Sequence, residues 1–244
     1  MARSGDLSAY SHIRGILYDK DGTLFDFHRT WRPVMAQAAA LAVPGDAALA
    51  GRMLAEGGYD AASGRFLPDS LIAAGHAGEL AALWVAMGAE FEVEVLRARL
   101  DELFATVALD CAVAVTDLPA HFSLLHAAGL VQGVATNDSA VAAERTVAHF
   151  GIERWVGFVA GYDSGYGAKP GPGMALAFCE ASGLAPGEVA MVGDSEHDIA
   201  TGRAAGLGLC VGVMTGAGTR ETLGRVADVV LDDITGLRPL LARG

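Results

Sequence analysis

Asp19 and Asp21 flank Lys20 in the segment YDKDGT at residues 18–23, directly after the apolar run IRGIL. Two carboxylates this close repel one another unless a cation neutralises them. Further along, Thr136-Asn137-Asp138 closes the run LVQGVA, and Lys169-Pro170 sits in a Gly-rich stretch. Gly193-Asp194-Ser195 ends the run EVAMV, with Asp198 one helical turn on. If these runs are parallel strands, their ends gather Asp19, Asp21, Asp194, Asp198, Lys169 and several hydroxyls at one edge. Such a set suits phosphoryl transfer. Hard oxygen ligands suit Mg²⁺, which balances clustered acids and a phosphate oxygen together. A carboxylate can attack phosphorus and form an aspartyl-phosphate. Thr136, nearby backbone amides and Lys169 supply donors for the equatorial oxygens.

Each segment also has a plainer reading. Asp-Gly is a common turn pair, Thr-Asn-Asp is a helix N-cap, and acids at 194 and 198 suit a helix N-terminus. Their joint occurrence in this order favours the chemical reading. Lys20 is a separate question. Neighbours in an extended segment face opposite ways, which puts Asp19 and Asp21 on one face and Lys20 on the other. The expectation is that Mg²⁺ and Lys169 neutralise the two acids. The Lys20 stem then packs and its ammonium reaches water or an acid.

The elements that must position these residues are legible as apolar runs at 13–19, 130–138, 155–161, 188–195, 207–213 and 227–231. From 130 onward they alternate with helix-like stretches: SAVAAERTVAHFG, GPGMALAFCEASG and HDIATGRAAG. Continuous apolar strands between amphipathic helices imply an α/β fold with a Rossmann-like parallel sheet covered on both faces. Residues 28–110 break the alternation and lean helical throughout. The chain therefore divides into a core of 1–24 and 111–244 and an all-α insert of 25–110, hinged near 25–28 and 109–117.

The motifs DKDGT, TND after an apolar strand, KPGPGMAL and VGDSEHDIATGRAAG together resemble the haloacid dehalogenase superfamily, most closely its phosphoglycolate phosphatase group. The helical insert resembles that family's C1-type cap. The resemblance implies Asp19 as nucleophile and Asp21 as general acid/base, with the Asp21 main-chain carbonyl also a metal ligand. It implies Thr136 and Asn137 as phosphate-binding residues and Lys169 as the lysine steadying nucleophile and phosphate. Asp194 becomes a direct metal ligand, and Asp198 a carboxylate supporting the metal or Lys169. An acid at position 21 suits a phosphatase, because an alkoxide leaves poorly unprotonated; the dehalogenase and phosphonatase branches lack it. The family usually has an apolar residue where Lys20 stands. The implied activity is Mg²⁺-dependent hydrolysis of a small phosphomonoester, 2-phosphoglycolate first. A sugar phosphomutase of the β-phosphoglucomutase kind and a non-catalytic phosphate-binding module are the alternatives.

Specificity residues are sought in the insert. Arg65 in ASGRFLPDS is a candidate partner for a substrate carboxylate. His28, Arg29 or Arg32 can face the cleft from the hinge. His197 is expected to point outward, and Trp31, Trp84 and Met87 read as helix core. EFEVEVLRARLDEL reads as a solvated helix face with a buried stripe, or as a dimer surface.

Charge and composition narrow the partners. A net charge of −12 disfavours nucleic acid and anionic lipid. No apolar run is long enough for a membrane span, and the first residues lack a signal-peptide core. Cys111, Cys179 and Cys210 are scattered without metal spacing and read as buried free thiols in a reducing cytoplasm. The expected partner is a small phosphorylated metabolite, bound by a monomer or homodimer.

Overall fold

The six apolar runs each become a strand of one parallel sheet. The structure, a computed structural model, describes residues 10–241; the reading of the first residues as free of a signal peptide falls largely on 1–9 and lies outside them. The chain enters through β1 (Gly15–Tyr18) and leaves the sheet for α1 (Phe27–Ala42) and α2 (Ala47–Glu56). A hairpin of two-residue strands follows, β2 (Tyr59–Asp60) and β3 (Arg65–Phe66), then α3 (Leu71–Ala74), α4 (Ala77–Ala86) and α5 (Val93–Leu103). A π-helical stretch at Phe104–Ala108 runs into α6 (Leu109–Cys111). The chain then alternates: α7 (Leu118–Ala127), β4 (Val131–Ala135), α8 (Ala140–His149), β5 (Val156–Ala160), α9 (Gly173–Ser182), β6 (Val189–Gly193) and α10 (Glu196–Ala204). It ends with β7 (Leu209–Val213), α11 (Arg220–Val226), β8 (Val229–Leu231) and α12 (Leu237–Leu241).

The strand order is β5-β4-β1-β6-β7-β8, every pairing parallel. Winding runs one way from β1 through β4 and the other way through β6, so the crevice opens at the carboxyl end of β1. Tyr18 is level with Val134 on one side and Val192 on the other. Register therefore brings the residues just past β1, β4 and β6 to one place. Period-2 alternation splits the sheet's side chains between two cores. Ile16, Tyr18, Val134 and Val192 pack on one face, and Leu17, Ala135, Met191 and Cys210 on the other.

The insert has its own core, which includes Trp31, Met35, Met53, Trp84, Leu96, Leu100 and Phe104 and draws in Ala217 from the sheet side. It is not purely helical, because β2 and β3 form a hairpin. Its strands are too short to show alternation in sequence. Asp60 holds the turn by accepting from the Ala62 and Ser63 amides and the Ser63 hydroxyl. In α5 only Leu96 and Leu100 are buried, giving the one-sided stripe expected of that acidic stretch. Cys179 and Cys210 are buried free thiols, whereas Cys111 is half-buried, since α6 ends the insert at the surface between hinge and sheet. Among the described residues no helix is long and apolar enough to cross a membrane.

Candidate active site

Asp19 is the first residue beyond β1, and its amide donates to Val192 O on β6 at 2.8 Å. That bond fixes its carboxylate at the crevice. Lys169 Nζ lies 2.5 Å from Asp19 Oδ1 and 2.5 Å from Asp198 Oδ1. Ser195 caps α10 and donates to Asp198 Oδ2 from its amide (3.1 Å) and hydroxyl (2.6 Å). Asp194, at the end of β6, accepts from the Ala217 amide at 2.9 Å. The loops close tightly over it. A Cβ on Gly22, whose φ is +87°, would meet the Asp194 carboxyl at 2.5 Å, and one on Gly216 would lie 1.7 Å from its Oδ2. Glycine is required at both positions for that approach.

Asp19, Asp194 and Asp198 hold carboxylate oxygens within 4.8 Å of one another, all three residues buried. Burial pushes Asp19 up to about 7 against the pull of Lys169. Burial, then Asp198 and Asp19, raises Asp194 well above the usual carboxylate range. Burial works against the Lys169 ammonium, but Asp19 and Asp198 outweigh it and hold it above its ordinary value. The chain has two lysines, and both are buried at this crevice. They face five carboxylates: Asp19, Asp194 and Asp198 around Lys169, and Asp21 and Asp138 around Lys20. The excess of acid and the all-oxygen donor set fit a hard divalent cation held by Asp19 and Asp194, with Asp198 beside them.

The Lys20 stem packs and its ammonium reaches acids, as expected, but one of those acids is Asp21, against the expectation that the two face opposite ways. Its ammonium lies 2.5 Å from Asp21 Oδ2 and 3.0 Å from Asp138 Oδ2, with a 4% exposed side chain. It does neutralise Asp21. Strand β1 ends at Tyr18, so the alternation that separated Lys20 from Asp21 stops before it reaches them. Its ammonium also lies 5.9 Å from the Trp31 ring. Asp21 stands outside the three-carboxylate cluster and lines the same cavity.

Thr136 lines the cavity, and its hydroxyl oxygen accepts from the Asp138 amide at 3.1 Å, leaving its proton to donate. Asn137, expected to bind phosphate, also lines the cavity, and its side chain bridges two segments there. Its Nδ2 donates to Ala74 O at 2.8 Å and Lys169 O at 3.1 Å, while its Oδ1 accepts from the Lys169 amide at 2.8 Å. The side chain thus ties the insert to the Lys169 loop, with both amide protons used. A second tie joins α5 to the loop after β5: Tyr162 donates to Asp101 Oδ2 at 2.9 Å, and Arg97 reaches both groups. The His76 and Tyr162 rings stack at 4.8 Å.

The remaining sequence candidates lie away from the cavity. Arg65 is exposed on β3 and does not line it. His28 also stands back from it, accepting from the Phe66 amide at 3.3 Å and stacking on the Phe66 ring. Burial, with Arg65 nearby, holds the His28 imidazole below its ordinary value. Arg29 and Arg32 are exposed. Two residues assigned elsewhere do line it. His197, expected to face outward, turns in from the first turn of α10, and Trp31 forms part of the wall as well as the insert's core. Spacing along one helix could not reveal this, because the wall exists only once α1, α4 and the π-helical stretch close over the sheet.

A model of haloacid dehalogenase-like hydrolases matches residues 13–206. The chain belongs to that family. The phosphoglycolate phosphatase of Shigella boydii serotype 4 is 28% identical over 250 residues, covering 96% of this chain and 95% of that one. Among solved structures, a haloacid dehalogenase-like hydrolase from Bacteroides fragilis superposes with a TM-score of 0.72 at 17% identity, over 92% of this chain and 99% of that one. CbbY of Rhodobacter sphaeroides, solved in complex with phosphate, gives 0.69 at 20% identity, over 92% of this chain and 96% of that one. This hydrolase is thus similar to phosphoglycolate phosphatases along nearly its whole length, and it shares its fold with both solved structures.

Proposed function

We propose that the protein is a cytoplasmic, Mg²⁺-dependent phosphatase that cleaves small phosphomonoesters through an aspartyl-phosphate on Asp19. The observation that carries the reading is Lys169 bridging Asp19 and Asp198 beside Asp194, at the one crevice the sheet topology provides. Mg²⁺, when bound, offsets the excess carboxylate charge and polarises a phosphoryl oxygen. Lys169 holds Asp19 Oδ1, and Oδ2 keeps only a long 3.4 Å contact from Thr23 Oγ1. An Asp19 oxygen attacks phosphorus as the bond to the ester oxygen breaks, and Asp21, which takes up a proton from solvent on leaving Lys20, gives that proton to the departing oxygen. Asp21 then takes a proton from the water that attacks the phosphoryl group, freeing phosphate and restoring Asp19. Thr136 and Lys169 donate to the phosphoryl oxygens. The insert (25–110) acts as a cap over the core, its ties through Asn137 and Tyr162 keeping water out while the first step occurs.

Phosphate release from p-nitrophenyl phosphate and 2-phosphoglycolate, with Mg²⁺ or with EDTA, tests this reading. Release that needs Mg²⁺ supports it. Folded protein that releases no phosphate from either would defeat it.

A further inference from the structure

The cavity wall opposite the carboxylates is apolar. Phe27, Trp31, Met35, Leu71, Leu80 and Phe104 line it from the insert. The leaving group of any ester held at Asp19 must lie against this wall. Among the described lining residues the sole Lys or Arg is Lys169, which already serves Asp19 and Asp198. The insert's arginines do not help. Arg29, Arg32, Arg52, Arg65 and Arg99 are exposed, and Arg97 is engaged by Glu94, Asp101 and Tyr162. His76 accepts from the Gly78 amide as the cap of α4, and its other nitrogen faces Glu79. His197 Nδ1 and Trp31 Nε1 are buried without partners on residues that line the cavity, and each can form one hydrogen bond. The cavity is small, about 70 Å³, room for a few water-sized groups.

We infer that the preferred substrate is the phosphate ester of a small, uncharged alcohol, and that esters with a carboxylate in the leaving group are poor substrates. This deepens the phosphatase reading and rests on it. A carboxylate against this wall would lose its water and gain no cation, beside a crevice already rich in acid. A sugar would bring several hydroxyls to a wall with almost no polar partners, each then unsatisfied. A short alkyl or amide leaving group has the opposite balance: its apolar atoms gain burial, and one polar atom suits His197.

The test compares 2-phosphoglycolate with its neutral near-isostere 2-phosphoglycolamide and with propyl phosphate, on the full chain with Mg²⁺. We expect kcat/KM for both neutral esters to exceed that for 2-phosphoglycolate by about a hundredfold or more. Ala73→Arg, which adds a cation at a half-exposed wall position, should move the ratio toward the carboxylate ester by at least about tenfold. Equal or better turnover of 2-phosphoglycolate by the wild type would overturn the inference and leave the phosphatase reading intact. Turnover of none of the three would overturn both.

Discussion

Lys20 Nζ lies 2.5 Å from Asp21 Oδ2, so two chain neighbours form a buried ion pair beside the catalytic crevice, which Asp138 completes from the loop after β4. Burial disfavours the Asp138 carboxylate and raises it above its usual range, with Lys20 pulling the other way. The triad links the residue proposed as acid/base to the loop after β4, which carries Thr136 and Asn137. It also fixes where the Asp21 carboxylate can swing.

Removing the cation should therefore be costly. Lys20→Met leaves Asp21 and Asp138 facing each other without compensation and should destabilise the protein by about 3–5 kcal/mol, the usual result of breaking a buried pair. Lys20→Met with Asp21→Asn and Asp138→Leu removes all three charges together and should recover most of that loss. Urea unfolding of both variants is the check; a single-mutant loss below about 1 kcal/mol would mean the pair is not held as described.

Tyr162→Phe cuts the tie between α5 and the sheet, since the Tyr162 hydroxyl donates to Asp101 Oδ2 while Asp101 Oδ1 has no partner. The hydroxyl also accepts from Arg97 Nη1, so two bonds are lost, at about 1 kcal/mol each. The expected result is faster hydrogen exchange at residues 69–77 and a severalfold lower kcat/KM. Unchanged exchange would show that this contact does not hold the cap.

His121 gives stability a pH dependence. Burial lowers its pKa to about 4, although its Nε2 is 3.3 Å from the Tyr18 hydroxyl. The native state thus resists protonation that the unfolded chain accepts near the ordinary value of about 6.5. Its contribution is present in full above about pH 6.5 and is lost as pH falls toward 4, by about 2–3 kcal/mol. The difference in unfolding free energy between wild type and His121→Gln, followed from pH 7 to 4, should change over that window; a flat difference would contradict the assignment.

The sheet was legible because a strand buried on both faces reads as an unbroken apolar run, as in ILY at 16–18 and VAMV at 189–192. Asp19, Thr136 and Asp194 were legible because each stands just past such a run. What escaped depends on contacts between distant parts of the chain. The pairing of Lys20 depends on where β1 stops, and the two amide protons of Asn137 depend on α3 and the Lys169 loop arriving beside it. Trp31 carries the same apolar signal whether it faces a core or a cavity. His197 lines the cavity from the first turn of α10, and that helix start packs so closely on β6 that a Cβ on Gly193 would collide with Asp198 at 2.2 Å.

Asp19 as nucleophile is the central claim, and trapping tests it most directly. Asp21→Asn should still be phosphorylated by an aryl phosphate, whose leaving group needs little protonation, but should hydrolyse the intermediate slowly. Acid quenching followed by borohydride reduction would convert an aspartyl-phosphate to homoserine. Homoserine is expected at position 19, dependent on the ester and absent when Asp19 is replaced by Asn. Ester turnover with no reduced residue at position 19, or with reduction at another carboxylate, would contradict it.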